Sequence, residues 1–435
     1  MSMVVKNNND AIRTLNTLNK NSKALSKSLQ KVSSGMKINS ASDGASEYAI
    51  SERMRVQIRS LDQANANAQN GNALLKTAEG AVSSTIEILK SLKEKAINSA
   101  NDTNTEIDRT TIQKEIDQFI DQIDENANVT YNGKYLLDGT KNFQGDASKS
   151  TYINMSLATD TTTSTALTAL RDRAGHNLGI QSTDSIHITF MTGDIGATYF
   201  TQEGIVANNS VGLFHSDQAY PLADDPTISS TVGTDRAGNT VYTPDNQNAL
   251  VVNATNAGLD GQIAGLSVII IDNEGNVRKS ATEILNSFVE YIHAEDVSED
   301  NALTFHTGAK SNNTLKFGLK DMRAEALGLR GFDNININVK DKLFVEGTIS
   351  VIDTALSRAL DHQTSIGAVQ ARLEYTSANL TTASENVTAS ESTIRDSDMA
   401  KEMTEYTKNN VLLQAAQSML AQANQNSSAV LSLLQ

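Results

Sequence analysis

The sequence of 435 residues contains no cysteine, no tryptophan and only three prolines. Without cysteine, the chain can form neither a disulfide framework nor a thiolate metal site, and a thiol nucleophile is excluded. Basic residues are also in short supply, because 36 Lys and Arg stand against 51 Asp and Glu and give a formal net charge of -15. Since neutralising phosphates requires a basic face, we expect no nucleic-acid partner.

Long hydrophobic runs are missing as well. The longest one, residues 266–271, is interrupted by Ser267 and is far shorter than the roughly 20 residues that span a bilayer. The N-terminal residues lack the apolar stretch and the small-residue cleavage site of a secretory signal. We therefore expect a soluble chain that does not insert into membranes and that, if it leaves the cell, does so without cleavage of such a signal.

Helix breakers are rare at both ends of the chain. Pro221, Pro226 and Pro244 all lie in the middle, and neither Gly nor Pro occurs after Gly367. The last 68 residues therefore contain nothing that would interrupt a helix. The length of the chain predicts two or three domains, and we expect long helices at both of its ends.

Apolar residues recur at intervals of seven in two matched stretches, which is typical of a coiled-coil seam. The rod seam, as we call it, comprises Met54, Leu61, Ala68, Leu75, Val82, Leu89 and Ala96 in one stretch, and Ile352, Ala359, Ile366, Leu373, Leu380, Val387 and Ile394 in the other. We expect the two stretches to pair within one chain. A third helix, with apolar residues at Ile112, Ile116, Phe119 and Ile123, is predicted to begin with a capping box at Thr103 and Glu106 and to complete a three-helix rod.

The outermost ends carry a further set of apolar residues, called here the arm residues. They are Leu15, Leu18, Leu25, Leu29, Val32 and Met36 at one end, and Met399, Met403, Tyr406, Leu413 and Leu420 at the other. Residues 1–44 have a net charge of +5, whereas residues 409–435 have no charged side chain and include nine Asn or Gln. Because two arms alone have no third layer to cover them, the pattern favours packing against other chains, and thus an assembly function.

Residues 161–300 differ from the rest, since they contain all three prolines and a net charge of -13. Short runs such as SIHITF and LSVIIIDNEGNVRK predict strands, the second followed by a turn at residues 273–275. The carboxylates Glu295, Asp296, Glu299 and Asp300 could bind a divalent cation, but such runs are more often solvated faces. The six histidines are scattered and no phosphate loop or nucleophile elbow is present, so we expect no enzyme, no cofactor and no metal.

Several segments resemble the ends of bacterial flagellin. They are KVSSGMKINSASDGASEYAISERMR near the start, NVTYNGKYLLDG at 128–139, IGAVQARLE at 366–374, STIRDSDMAKEM at 392–403 and LLQAAQSMLAQANQNSSAVLSLLQ at the end. The resemblance covers about residues 1–140 and 340–435. It implies a subunit that is exported unfolded through the flagellar type III apparatus, is secreted, and polymerises into the extracellular filament used for swimming. The implied partners are copies of the chain itself, the flagellar cap, hook-filament junction proteins and an export chaperone.

The resemblance also implies a domain order and a fold class. The fold is mostly α, with an inner pair of terminal arms, a three-helix rod that includes a short β-hairpin, and an inserted β-rich (α+β) outer domain. The expected bounds are 1–44 and 396–435 for the arms, 45–160 and 301–395 for the rod, and 161–300 for the insert. Alternatives are a hook-filament junction protein, or a filament-displayed adhesin or enzyme that acts through the insert.

A second property implied by the family is recognition by the flagellin-sensing Toll-like receptor of vertebrates. Strong agonists carry Gln-Arg-Val-Arg-Glu-Leu-Ala-Val on a rod helix. The matching positions here are Lys90, Ser91, Leu92, Lys93, Glu94, Lys95, Ala96 and Ile97. Since Lys93 lacks the bidentate fork of Arg, and the first Arg and the Leu are replaced by Ser91 and Lys95, we expect weakened receptor activation.

Overall fold

The computed structural model describes residues 8–192, 200–201, 205–206, 227–331, 336–340 and 342–432. The helices are α1 Asn9–Ser34, α2 Ala45–Ser99, α3 Glu106–Ala127, α4 Lys279–Leu285, α5 Lys342–Arg395 and α6 Met399–Ser432. The strands are β1 Thr130–Tyr131, β2 Lys134–Tyr135, β3 Thr151–Asn154, β4 Ser185–Thr192, β5 Phe200–Thr201, β6 Ile205–Val206, β7 Thr227–Ser229, β8 Thr231–Thr234, β9 Thr240–Tyr242, β10 Ala249–Asn253, β11 Ile263–Ile271, β12 Val289–Ile292, β13 Leu303–His306 and β14 Thr314–Phe317.

The chain divides into two compact units. The terminal unit comprises the described residues of Met1–Ala68, His306–Asn313 and Tyr375–Gln435, and the central unit comprises those of Gln69–Phe305 and Thr314–Glu374.

In the terminal unit, α1 and α6 pack antiparallel and form what we call the arm pair. The Asn8 side chain donates to the Ala423 carbonyl at 3.3 Å and the Asn21 side chain to the Leu412 carbonyl at 3.2 Å. The Asn409 amide donates to the Ser28 hydroxyl at 3.1 Å. The contacting residues of α6 have decreasing numbers as those of α1 increase, so the two helices are antiparallel.

Both helices of the arm pair meet their neighbours in the sequence at one short junction. Gly35 has a φ of 71° and ends α1 in the left-handed region. Its carbonyl accepts from the Ser397 N–H at 3.0 Å, and the Lys37 N–H donates to the Arg395 carbonyl at 2.7 Å. The Asp398 carboxylate then accepts from the Ala400 N–H at 3.0 Å, so it caps the start of α6.

This junction corrects one expectation from the sequence. The absence of Gly and Pro predicted an uninterrupted helix over the last 68 residues, yet α5 ends at Arg395 and α6 begins at Met399. An aspartate restarts the helix instead, because the Asp398 side chain accepts from the Ala400 and Lys401 N–H groups and so caps α6. Side-chain acceptors that satisfy backbone N–H groups can end and restart a helix without a breaker residue.

In the central unit, α2 runs antiparallel to α5, and α3 lies against α2. Lys93 forms an ion pair with Asp353 at 2.5 Å, and the Asn72 amide donates to Glu374 at 3.2 Å. Glu115 of α3 reaches Lys95 at 2.5 Å. Helices α3 and α5 therefore both lie alongside α2, as expected for the three-helix rod.

Helix α3 differs in detail from the prediction. Its capping box joins Thr105 and Asp108, not Thr103 and Glu106. Ile116 and Ile123 are buried as the sequence suggested, but Ile120 is buried where Phe119 is only half-buried. Neighbouring residues of a helix point about 100° apart, so the change from Phe119 to Ile120 means that a different side of α3 is buried than the one predicted.

The β-rich part of the central unit is built on two sheets. Their strand orders are β12-β3-β10-β7 and β11-β4-β5, with β6 also paired to β4. Strands predicted from SIHITF and from LSVIII are confirmed as β4 and β11. Strand β3 at Thr151–Asn154 joins the first sheet although it precedes residue 161, where the insert was expected to begin.

The β11 strand and the start of α5 approach each other closely at a glycine. Gly265 has a φ of +66°, and a Cβ there would lie 2.3 Å from Val351 Cγ2 and 2.6 Å from the Gly347 carbonyl oxygen. The register of β11 against β4 shifts at this point, between Ala264 and Ser267. A bulge and a glycine together let the helix lie directly on the strand.

Candidate assembly surface

The arm pair leaves many of the arm residues uncovered in the single chain. Leu18, Leu25, Val32, Met36, Tyr406, Leu413 and Leu420 are half-buried. Leu15, Leu29, Met399 and Met403 are exposed. One helix can cover only one side of another, and the remaining apolar residues therefore contact solvent.

The structure adds exposed apolar residues that the sequence reasoning missed. On α1 this is Ile12, and on α6 they are Val411, Leu412 and Met419. Helix α6 turns about 100° per residue, so Met403, Val411 and Leu412 face directions that differ by about 80° to 180°. A count of apolar residues on every side of the helix, rather than at seven-residue spacing alone, would have found them. Helix α6 is thus apolar on more sides than α1 can cover.

An arginine at the junction holds the two chain segments together. Arg395 donates through Nη1 to Glu52 at 2.6 Å and through Nε to the Met36 sulfur at 3.2 Å. Its guanidinium lies 5.6 Å from the centre of the Tyr48 ring, a cation–π distance. The hydrogen bond from Arg395 lowers the pKa of the Glu52 carboxyl. Tyr48 therefore has a defined partner in Arg395.

The rod-seam residues are more deeply buried than the arm residues. In α2 the buried ones are Leu61, Ala68, Leu75, Val82, Leu89 and Ala96, and in α5 they are Ile352, Ala359, Ile366, Leu373 and Leu380. Met54, Val387 and Ile394 are half-buried. Leu61 packs against Leu380 within the terminal unit, where Val387 is part of the same cluster. These residues form intramolecular contacts.

The eight residues matched to the receptor motif are split between core and surface. Leu92 and Ala96 are fully buried. Lys93 and Lys95 are occupied by ion pairs with Asp353 and Glu115. The Ser91 hydroxyl donates to the Glu87 carbonyl within the helix at 3.1 Å. The exposed members are Lys90, Glu94 and Ile97.

The acidic run at 295–300 is engaged in local contacts. Glu295 pairs with Arg236, and the Asp296 carboxylate accepts from the Leu259 N–H at 2.8 Å. Asp300 pairs with Lys316 at 2.8 Å. Within the described ranges no three His, Asp or Glu side chains are grouped to hold a metal ion. Among the described helices, none combines the length and hydropathy needed to cross a bilayer.

Comparisons with known proteins agree with the two-ended pattern. A family model described as the bacterial flagellin N-terminal helical region matches residues 5–142, and one described as the C-terminal helical region matches residues 349–434. A flagellin of Clostridium tyrobutyricum is 35% identical over 431 residues, which cover 97% of this chain and 99% of that protein. The chain belongs to the bacterial flagellin family. The family expected from the sequence is confirmed.

The same similarity extends to other flagellins over the whole length. The flagellin of Bacillus subtilis strain 168 is 32% identical over 436 residues, covering 99% of this chain and all of that protein. A solved structure of FliC from Burkholderia pseudomallei covers 69% of this chain and 99% of that chain at 17% identity, with a TM-score of 0.26. The chain is therefore a subunit of the bacterial flagellar filament, in a family of structural proteins. The mostly helical fold with a β-rich insert is confirmed as well.

Proposed function

We propose that the chain enters the filament by burying the exposed apolar side of its arm pair against other copies of itself. The observation that supports this is the exposure of Val411, Leu412 and Met419 on the uncharged half of α6, which α1 leaves uncovered. Charged side chains would resist burial, and this segment has none. A second copy is the occupant that fits, because its α6 is apolar on more than one side and one side can pack against a different side of the first copy.

The free energy that assembly can gain depends on how much of each apolar side chain is still exposed in the single chain. Full burial of a Leu or Met stabilises by about 1.5–3 kcal/mol, so a half-exposed one still has roughly 1 kcal/mol to gain. Several such residues on each subunit offset the loss of freedom on association. Contacts between different surfaces of successive copies, with a rotation that does not close, then produce an open helix and not a ring.

The sharpest test compares two pairs of exposed residues. Val411 and Leu412 are 59% and 43% exposed on α6, and Val289 and Val297 are 57% and 71% exposed in the β-rich region. We expect Val411→Ser/Leu412→Ser to prevent seeded polymerisation while Val289→Ser/Val297→Ser polymerises normally, as measured by sedimentation and electron microscopy. Circular dichroism of each monomer checks that the helices persist. Normal filaments from the arm variant, or equal loss in both variants, would contradict the proposal.

A truncation provides a coarser test of the same idea. Removing residues 409–435 deletes most of α6 along with its pairing to α1 through Asn409 and Asn21. We expect such a chain to remain monomeric after seeding. If it forms normal filaments, the arm pair is not the assembly surface.

The proposal includes the partners of an exported subunit. We infer that the chain is secreted unfolded through the flagellar type III apparatus and meets an export chaperone, the flagellar cap and the hook-filament junction on its way. The apolar, uncharged α6 supports this, because it needs covering before copies are available. Co-purification of the full chain, but not of the chain lacking residues 409–435, with such a chaperone would test it.

We further propose that a vertebrate Toll-like receptor recognises this chain only weakly. Lys93 and Lys95 are already paired with Asp353 and Glu115. Of the positions matched to the receptor motif, Lys90, Glu94 and Ile97 remain exposed for a receptor.

A further inference from the structure

Methionine exposure is uneven along this chain. Met399, Met403 and Met419, all on α6, are 42%, 45% and 62% exposed. Met191 and Met322, in the central unit, are 3% and 2% exposed. Among the methionines that the structure describes, the most exposed therefore lie on the surface that filament assembly is proposed to bury.

An exposed thioether reacts with two-electron oxidants by oxygen-atom transfer. The sulfur lone pair attacks an oxygen of a hydroperoxide, an S–O bond forms, the O–O bond breaks, and water or an alcohol leaves after proton transfer. Sulfur is oxidised by two electrons and the peroxide is reduced by two. The product, methionine sulfoxide, is polar and is restored by sulfoxide reductases.

We propose that Met399, Met403 and Met419 are sulfoxidation sites that control whether an unassembled subunit can join the filament. Oxidation places a strong hydrogen-bond acceptor on each side chain, which must then lose its water when α6 is covered. Assembly in turn removes the sulfurs from solvent and protects them. This inference depends on the proposed burial of α6 between copies.

The three methionines lie at different positions along α6. Met399 lies one residue beyond the cap at Asp398, and Met403 one turn further on. Met419 lies in the uncharged segment, beyond Ala416, which is buried in the single chain. Met399 and Met403 lie in the first turns of α6 and Met419 lies near its middle, so covering the helix from its start to Met419 buries all three sulfoxides.

The experiment treats the purified full-length monomer with hydrogen peroxide, maps sulfoxides by peptide mass spectrometry, and then measures seeded polymerisation. We expect Met399, Met403 and Met419 to oxidise well before Met191 and Met322. The critical concentration for polymerisation should rise by at least about tenfold, the factor that corresponds to about 1.4 kcal/mol and to the low end of the cost of burying an unpaired polar group. Treatment with methionine sulfoxide reductase should reverse the effect.

A matched variant isolates the three sulfurs. Met399→Leu/Met403→Leu/Met419→Leu keeps apolar character and a similar side-chain volume. Because these residues lie on the proposed assembly surface, the variant is compared with itself, and we expect its critical concentration to be the same before and after peroxide treatment. If this triple variant does not assemble before treatment, single Met→Leu variants at the same positions replace it, each expected to lose part of the sensitivity. Assembled filaments given the same dose should show far less sulfoxide at these positions than monomers do.

Three results would overturn the inference: unchanged polymerisation after all three sites are oxidised, equal sensitivity of the leucine variants, or equal oxidation of filament and monomer. These results are separable from failure of the proposed function. If Val411→Ser/Leu412→Ser still blocks assembly while sulfoxidation does not, only the oxidation inference fails. If neither has an effect, the proposed burial of α6 fails as well.

Discussion

Two regions of this flagellin have the same apolar repeat but differ in how completely the repeat is buried. Leu75 and Leu89 of α2 are fully buried, whereas Leu15 and Leu29 of α1 are about half-exposed. The difference lies in the number of layers, since α2 has both α5 and α3 against it and α1 has α6 alone. A seven-residue repeat thus identifies a contact surface but does not say whether one chain can cover it.

The central unit also contains a buried ion pair. Arg358 donates to both carboxylate oxygens of Glu290, and it donates to the Ala326 carbonyl at 2.5 Å. The His293 ring lies 3.1 Å from the same carboxylate. Burial opposes ionisation of Glu290, but Arg358 and then His293 hold the pKa of this carboxyl below its usual range. At the junction, Arg395 meets Glu52 in a similar pair, but the Glu52 side chain is 41% exposed and that of Glu290 only 2%.

The largest expected effect is the difference in the free energy of unfolding between variants of these two arginines. Arg358→Met should lower the free energy of unfolding by about 3–5 kcal/mol, because it leaves the buried Glu290 charge without its partner. Arg395→Met should cost much less, since water can solvate Glu52. Urea unfolding followed by circular dichroism measures both. Adding Glu290→Gln to the first variant should recover part of the loss. Equal losses of stability in the two single variants would mean that burial does not determine how much each ion pair contributes.

The next effect compares leucines of the two repeats. Leu89→Ala should destabilise the monomer by about 2–5 kcal/mol, because it opens a cavity in a closed core. Leu29→Ala should cost under about 1 kcal/mol in the monomer, because its side chain already contacts water. The order of the two variants should reverse in polymerisation. Leu29→Ala should raise the critical concentration more than Leu89→Ala does, although it destabilises the monomer less. If Leu29→Ala destabilises the monomer as much as Leu89→Ala does, α1 is buried within the single chain.

The contrast also shows how far the sequence alone could go. The repeat at Leu75 and Leu89 was readable because it follows a fixed period, and β4 was readable as a short run of strand-forming residues. The capping box was misplaced by two residues because Thr103 and Thr105 both offer a capping pattern, and the cap at Asp398 was overlooked because only Gly and Pro were considered as helix breakers. The pairing of Arg358 with Glu290 was not readable, because these residues are far apart in the sequence and meet only after folding. Within the candidate surface, Val411 and Met419 were missed because they lie outside the seven-residue register.

A smaller effect depends on pH and is confined to the central unit. His362 of α5 is buried, its ring is stacked on Phe317 with centroids 6.5 Å apart, and its Nε2 has no hydrogen-bond partner among the described residues. Burial, with Lys320 nearby, lowers the pKa of His362 to about 4 from 6.5. The unfolded chain therefore binds a proton that the folded chain does not, and stability falls as the pH drops from about 6.5 towards 4.

The size of this pH effect follows from the shift. Between pH 7 and pH 5 the central unit should lose about 2 kcal/mol through His362, since each pKa unit corresponds to about 1.4 kcal/mol. His362→Phe should remove that loss, as measured by urea unfolding at both pH values. His176→Gln is the control, because that imidazole is largely exposed. A pH dependence in His362→Phe identical to that of the unaltered chain would assign the effect to other groups.

The smallest effect concerns the receptor surface, where two of the departures from the agonist motif, Ser91 and Lys95, can be reversed. Ser91→Arg supplies a guanidinium in place of a hydroxyl that bonds only to Glu87, and Lys95→Leu removes the lysine paired with Glu115. Together they should raise potency in a receptor reporter assay by about tenfold, which corresponds to about 1.4 kcal/mol, because Arg can form charged, bidentate contacts that the Ser91 hydroxyl cannot. Lys114→Arg on α3 serves as a control for added guanidinium alone. An unaltered chain that is already as potent as a strong agonist would contradict the prediction, and it would show that the exposed Lys90, Glu94 and Ile97 suffice for recognition.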